Sequence, residues 1–192
     1  PIVMHNALQL LLVDDNSNDR ELVIAELRRE FPDMQVEQVA DADGLSHAFE
    51  QPRYDLLIVD YKLAWTDGLA VLRATKARWP ECVAIMFTGA GNEEIAVQAM
   101  KAGLDDYLTK SPKHFNRLPA RVRSNLEQVR QRHILKETQM SYLKLFDSVP
   151  IGLYRTNPKG QFLDANPALV QILGYPDRPA LMAVNEAALY VN

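Results

Sequence analysis

The chain has 192 residues, of which 47% are hydrophobic and 24% charged, with a net charge of −4. That length allows one ordinary domain plus part of a second, in a composition typical of globular proteins. The acidic balance gives no footprint for nucleic acid, and no apolar run approaches the ~18 residues of a membrane span. The single Cys82 falls in an apolar strand segment, cannot form an internal disulfide and reads as a small core residue. No signal-peptide pattern precedes the first strand, so the expected setting is reducing and cytoplasmic.

Strand-like and helix-like segments alternate up to about residue 112. Leu8 to Val13 is the first predicted strand, and Ser17 or Asn18 caps a helix carrying Leu22, Val23, Leu27 and Phe31 at helical spacing. Met34 to Val39 follows as a strand, Asp41 to Glu50 as a short helix, and Leu56 to Val59 as a strand. Asp67-Gly68 opens a helix with Leu69, Val71, Leu72 and Trp79; Val83 to Phe87 is the next strand. Asn92 is expected to cap a helix that Gly103 stops, and Asp106 to Thr109 is the fifth strand. Such alternation predicts an α/β fold with a parallel sheet covered on both faces.

From about His114 to Phe146 the alternation stops, and a long helix is expected, with Pro119 tolerated near its start. Its heptad positions are Val122, Leu126, Val129, His133, Lys136, Met140 and Leu143. Five of these seven are apolar, which suits pairing with a second copy of the chain. A single amphipathic helix lying on its own domain is the other reading, and His133 and Lys136 weaken the seam. Beyond Ser148, the segment Val149 to Asn157, a turn at Pro158-Lys159-Gly160 and a strand from Gln161 to Asp164 make a hairpin. Asn166-Pro167 starts a helix through Ile172, closed by Leu173-Gly174-Tyr175, and a short helix covers Pro179 to Val184. These elements are too few to enclose a core alone, so the expectation is a second domain that the chain only begins.

Chemistry concentrates where the strands end. Asp14-Asp15 follows the first strand, Asp60 the third, Thr88-Gly89 the fourth and Lys110 the fifth. In an open parallel sheet, ligands bind outside the carboxyl ends of the strands. Taken singly, an acid at a strand end is more often a helix cap and a lysine a surface charge; the joint occurrence is the signal. Three acids in one crevice repel one another, and a hard dication such as Mg²⁺ relieves that conflict. Asp60 can then serve as an oxygen nucleophile toward phosphorus, with Thr88, Lys110 and the backbone amides of Gly89 and Ala90 as donors to the phosphoryl oxygens.

These residues resemble the receiver domain of bacterial two-component response regulators over roughly residues 7 to 125. The carrying motifs are Leu12-Val13-Asp14-Asp15, Asp60 with Asp67-Gly68, Thr88-Gly89 and Tyr107-Leu108-Thr109-Lys110. The resemblance implies a flavodoxin-like, doubly wound five-stranded parallel sheet of order 2-1-3-4-5. It implies phosphorylation of Asp60 by a sensor histidine kinase or phosphotransfer protein. Mg²⁺ would be bound by Asp15, Asp60 and the Lys62 backbone carbonyl, and by Asp14 through water. Thr88 and Tyr107 would be a switch pair, Thr88 moving to the phosphoryl group as the Tyr107 ring turns inward. No enzymatic activity beyond phosphoryl acceptance and slow autodephosphorylation is implied. The sequence departs from the family in carrying Ala64 where proline is usual and Ser111, not a cis proline, after Lys110. Lys62 and Ala90 stand at positions that tune phosphoryl lifetime in the family.

The remainder, about residues 141 to 192, resembles the start of a PAS sensor domain. Leu145 to Tyr154, Gly160 to Ala168 and Leu173-Gly174-Tyr175 carry that likeness. The expected organisation is a receiver over 1–125, a linker helix over 113–147 able to form a coiled-coil homodimer, and the N-terminal part of a PAS domain over 148–192. No PAS ligand can be assigned, and neither nucleic acid nor membrane is expected as a partner. The alternatives are a Mg²⁺-dependent aspartyl-phosphate phosphohydrolase, a degenerate receiver acting only as a platform, and the input part of a larger sensor kinase or cyclic dinucleotide enzyme.

Overall fold

A computed structural model describes residues 7–90 and 93–185. The chain divides into two compact units, Pro1–Gln131 and Arg132–Asn192. In the first unit five strands form one parallel sheet in the order β2-β1-β3-β4-β5. They are β1 (Gln9–Val13), β2 (Gln35–Val39), β3 (Leu56–Val59), β4 (Val83–Thr88) and β5 (Asp106–Thr109). The order is the one the receiver resemblance implied. β3 and β4 are buried along their whole length, which is why they read as continuous apolar runs without alternation.

Side-chain alternation along each strand divides the core in two. Leu11, Val13, Leu57, Val59, Ala84 and Met86 face one layer, built by α2 (Ala42–Ala48), α3 (Gly68–Arg78) and α4 (Glu93–Lys101). Leu10, Leu12, Leu56, Ile58, Ile85 and Phe87 face the other, built by α1 (Ser17–Arg28) and the first part of α5 (Pro112–Ser148). Cys82 lies one residue before β4 and is buried; its thiol is pushed up to about 12 by that burial, which makes it an inert core group.

The helix boundaries correct several expectations. The cap of α1 is Asn16, whose side chain accepts from the N–H groups of Asn18 and Asp19; Ser17 and Asn18 are inside the helix. The expected Asn92 cap lies outside the described residues. Pro119 lies inside α5 and not in its first turn, because the helix already begins at Pro112. It cannot donate to the Phe115 carbonyl. The heptad seam is also split. Val122 is fully buried, and Leu126 and Val129 pack against the receiver core. The later positions His133, Lys136, Met140 and Leu143 are exposed, as are Ile134, Leu135, Tyr142 and Leu145.

The second unit contains the end of α5, an antiparallel hairpin of β6 (Tyr154–Thr156) and β7 (Phe162–Ala165), and two short helices, α6 (Pro167–Ile172) and α7 (Arg178–Met182). Phe162, Ala165, Leu169, Val170 and Leu181 form its small core. Asn166 is completely buried at its centre. Its Oδ1 accepts from the N–H groups of Leu153 at 2.9 Å and Leu169 at 3.0 Å. Its Nδ2 donates to the carbonyls of Phe146 at 3.0 Å and Ile151 at 2.8 Å. One side chain thus caps α6 and fixes the segment leaving α5.

Candidate functional site

The sheet itself delivers the site residues. Each backbone ladder continues one residue past its strand: Asp14 N–H donates to Val39 O at 3.0 Å, Asp60 N–H to Val13 O at 2.9 Å, and Lys110 N–H to Thr88 O at 2.8 Å. The carboxyl ends of β1, β3 and β5 therefore present Asp14, Asp60 and Lys110, with Lys110 two residues further along the sheet than Asp60. The Lys110 ammonium lies 2.7 Å from Asp14 Oδ2, 2.6 Å from Asp60 Oδ2 and 2.7 Å from Asp19 Oδ2. Burial works against the Lys110 charge, and the hydrogen bonds it donates to the three acids overcome it, raising its pKa above the ordinary lysine value. Asp14 is 3% exposed. Its burial raises its pKa, outweighing the Lys110 and Asn16 bonds that pull it down. One ammonium shared by three carboxylates cannot neutralise the most buried of them.

Backbone donors hold the acids further. Asp14 Oδ1 accepts from Asn16 N–H at 2.9 Å, and Asp60 Oδ1 from Lys62 N–H at 3.2 Å. Arg20 binds the Asp14 backbone carbonyl at 2.6 Å. Asp15 is exposed and turns toward the loop after β3, where Oδ2 accepts from Ala64 N–H at 2.9 Å. That loop folds back tightly: Gly68 N–H donates to Tyr61 O at 2.7 Å. A Cβ at position 68 would lie 2.3 Å from Asp60 O, so only glycine fits there. Asp67 caps α3 beside it, accepting from Ala70 N–H at 2.7 Å. The Asp67-Gly68 pair thus has a local physical reason.

The structure therefore brings together Asp14, Asp60 and Lys110 of the sequence-derived set, and adds Asp19. Asp15 is at the rim, bound to the loop. Thr88 is fully buried and its hydroxyl donates to Ala90 O at 2.9 Å, so its bonds run to the β4–α4 loop and not to Asp60. The Tyr107 ring packs against the core, and its hydroxyl is buried with no hydrogen-bond partner among the described residues. Its pKa is raised by that burial, with Asp60 and Tyr61 adding to it. The Lys110–Ser111 bond is trans. His114 in the first turn of α5 tethers this junction, its Nδ1 lying 2.8 Å from Thr109 O and 3.1 Å from Ser111 Oγ.

Asp19 was absent from the sequence-derived site. The available signal was its place: it is the third residue of α1, whose start directly follows Asp14-Asp15 and the Asn16 cap. The pairing of β5 with α5 was missed as well. Buried Asp106 takes both Nε and Nη2 of Arg121 at 2.7 Å.

The donor set fits a hard cation. All the candidate donors are oxygens: three carboxylates gather round Lys110, and Asp15 stands at the rim on the loop after β3. Among the described residues no three acidic, histidine or cysteine side chains form a ready metal cage; Lys110 takes the contact positions on Asp14 and Asp60.

Comparison with known proteins agrees with this fold. Residues 10–123 match the family of response regulator receiver domains. The chain belongs to that family. A match to the PAS domain family follows over residues 140–190. The receiver is similar to the phosphate regulon transcriptional regulatory protein PhoB of Klebsiella pneumoniae, 29% identical over 143 residues, 72% of this chain and 60% of PhoB. Among solved structures it is similar to a CheY-like receiver from Methanospirillum hungatei JF-1, with 27% identity and a TM-score of 0.59 over 66% of this chain and 99% of that one. The BeF3-activated DrrB receiver domain of Thermotoga maritima is 25% identical, with a TM-score of 0.55 over 64% of this chain and 99% of that one. The chain spans less than two thirds of the length of the curated relatives it matches. No described helix is long and apolar enough to cross a membrane.

Proposed function

We propose that this receiver accepts a phosphoryl group on Asp60 from a histidine kinase or phosphotransfer protein. The observation that carries the reading is the contact of Asp60 Oδ2 with Lys110 Nζ at 2.6 Å, where β3 and β5 end. An Asp60 carboxylate oxygen attacks the phosphorus of a phosphohistidine; the P–N bond breaks and its electron pair stays on the imidazole nitrogen. The transferred group brings negative charge, and Lys110 is the ammonium placed to meet it. Asp14, Asp15 and Asp60 with the Lys62 carbonyl would hold Mg²⁺, which supplies charge neutralisation between the acids and the incoming group. Thr88 would leave Ala90 to donate to the phosphoryl group, the charge-assisted bond supplying the free energy of the switch.

Membership of the receiver family supports this reading, and so does the BeF3-activated state of DrrB. The same reading makes the chain a signalling module and not an enzyme with turnover. The change on Asp60 passes along α5 toward the PAS segment, and the outward apolar side chains from Ile134 to Leu145 pair with a second copy.

The test is labelling with acetyl phosphate in Mg²⁺. One acid-stable, base-labile phosphoryl group per chain is expected, lost in Asp60→Asn, without sustained hydrolysis of phosphate monoesters. Labelling that survives Asp60→Asn sinks the reading. Molar mass in solution with and without trifluoroberyllate tests the pairing; a monomer in both conditions counts against it.

A further inference from the structure

We propose that Asp19 is a positioning residue that competes with the phosphoryl group for Lys110 and so limits how tightly the crevice holds that group. The proposal rests on the reading of Asp60 as the phosphoacceptor. Asp19 is the third residue of α1 after its Asn16 cap. An acid there commonly reaches back to the backbone N–H of the cap residue. That N–H is already taken by Asp14 Oδ1 at 2.9 Å, and the Asn16 side chain caps the helix itself. Asp19 has no capping duty left. Its Oδ2 instead lies 2.7 Å from Lys110 Nζ, with its side chain 23% exposed. It has no other side-chain partner among the described residues.

The arithmetic of donors makes this matter. A lysine ammonium has three N–H groups, and Asp14, Asp19 and Asp60 take all three. A phosphoryl group on Asp60 can therefore gain Lys110 only if an existing bond gives way. Asp14 is held by a backbone amide besides, and Asp60 carries the new group. Asp19 is the competitor whose removal disturbs neither. A purely structural role at the positive end of the helix dipole would change helix stability and leave phosphoryl affinity unmoved.

The experiment compares the full wild-type chain with Asp19→Asn and Asp19→Glu at saturating Mg²⁺. It reads trifluoroberyllate affinity by intrinsic tryptophan fluorescence and the half-life of the acyl phosphate after acetyl phosphate labelling. Asp19→Asn is expected to bind trifluoroberyllate tighter, on the order of fivefold, with a longer half-life. Asp19→Glu, which restores the acid, moves both back toward wild type. If Asp19→Asn folds poorly, Asp19→Ser suits the same helical turn and carries the same expectation. Affinity that is unchanged or weaker without the acid, in a protein that still labels on Asp60, overturns the proposal alone. Failure of the wild type to label on Asp60 overturns the reading beneath it.

Discussion

Each of the two units gathers polar groups around one side chain, and the two do it with opposite electrostatics. In the receiver, Lys110 collects three carboxylates at 2.6 to 2.7 Å, of which Asp19 is the most exposed. In the PAS segment, Asn166 collects two backbone N–H groups and two close carbonyls, fully buried. The first centre is unbalanced in charge, three carboxylates to one ammonium, and its partners are side chains that can move. The second is neutral and satisfied, and its partners are main chain that cannot be exchanged. One centre is built to be rearranged and the other to hold still.

The sharpest way to break this contrast is at Asn166. Asn166→Ala removes a helix cap and strands buried backbone groups, so a loss of about 2–4 kcal/mol is expected in the second unit. Hydrogen exchange at the Leu153 and Leu169 amides reads it directly. Asn166→Asp keeps the acceptor but sets a carboxylate against the Phe146 and Ile151 carbonyls, and is expected to be no better than alanine. A mild effect of either would make Asn166 as replaceable as a receiver ligand.

Lys110→Met should cost a comparable amount without metal, about 3 kcal/mol, because Asp14 and Asp60 are left buried without their cation. Mg²⁺ in the millimolar range is expected to restore the melting midpoint, while no addition rescues Asn166→Ala. The raised Lys110 pKa fixes the pH window. Its pairing is at full strength below the ordinary lysine value of about 10.4 and is lost as pH climbs through the raised value. Midpoints of wild type and Lys110→Met that stay equally far apart at strongly alkaline pH would contradict this.

The smallest effect has the opposite sign. The Asp14 pKa is raised, so its contribution to stability is fully present only below about 3.9 and disappears as pH rises through the raised value. At neutral pH the ionised carboxylate is a burden on the metal-free protein. Asp14→Asn should therefore raise the midpoint by about 2–4 °C at pH 7, with no gain near pH 3. Thermal melts at the two pH values check it; a lower midpoint at pH 7 would mean that Lys110 fully compensates Asp14.

The legible part of this molecule was what periodicity and punctuation encode. The five strands, the order the family resemblance implies, and the exits at Asp14, Asp60 and Lys110 lie where the sequence places them, while Thr88 is the last residue of β4 and not its exit. Side-chain direction at helix starts was not legible: Asp19 looks like any acid in a first turn until Asp14 is seen to occupy the cap amide. Nor could heptad spacing separate Val122, which the receiver core consumes, from Met140 and Leu143, which it leaves outside. Apolar spacing records that a face is greasy, not what covers it. The Asn166 centre was invisible for a related reason, since its partners are all backbone.

The strand ladders carry one last consequence. Val13 pairs with Val59, Val59 with Met86, and Thr88 with Thr109, and Asp14, Asp60 and Lys110 each stand one step beyond their strand. A slip of β3 by one residue would bring Val59 or Tyr61 to the level of Asp14 and invert which side chains face each layer. The five-stranded outline would survive, while Asp60 would be out of step with Lys110. The placement of these three side chains is thus written as a phase relation among four strands, β1, β3, β4 and β5, which no loop by itself can set.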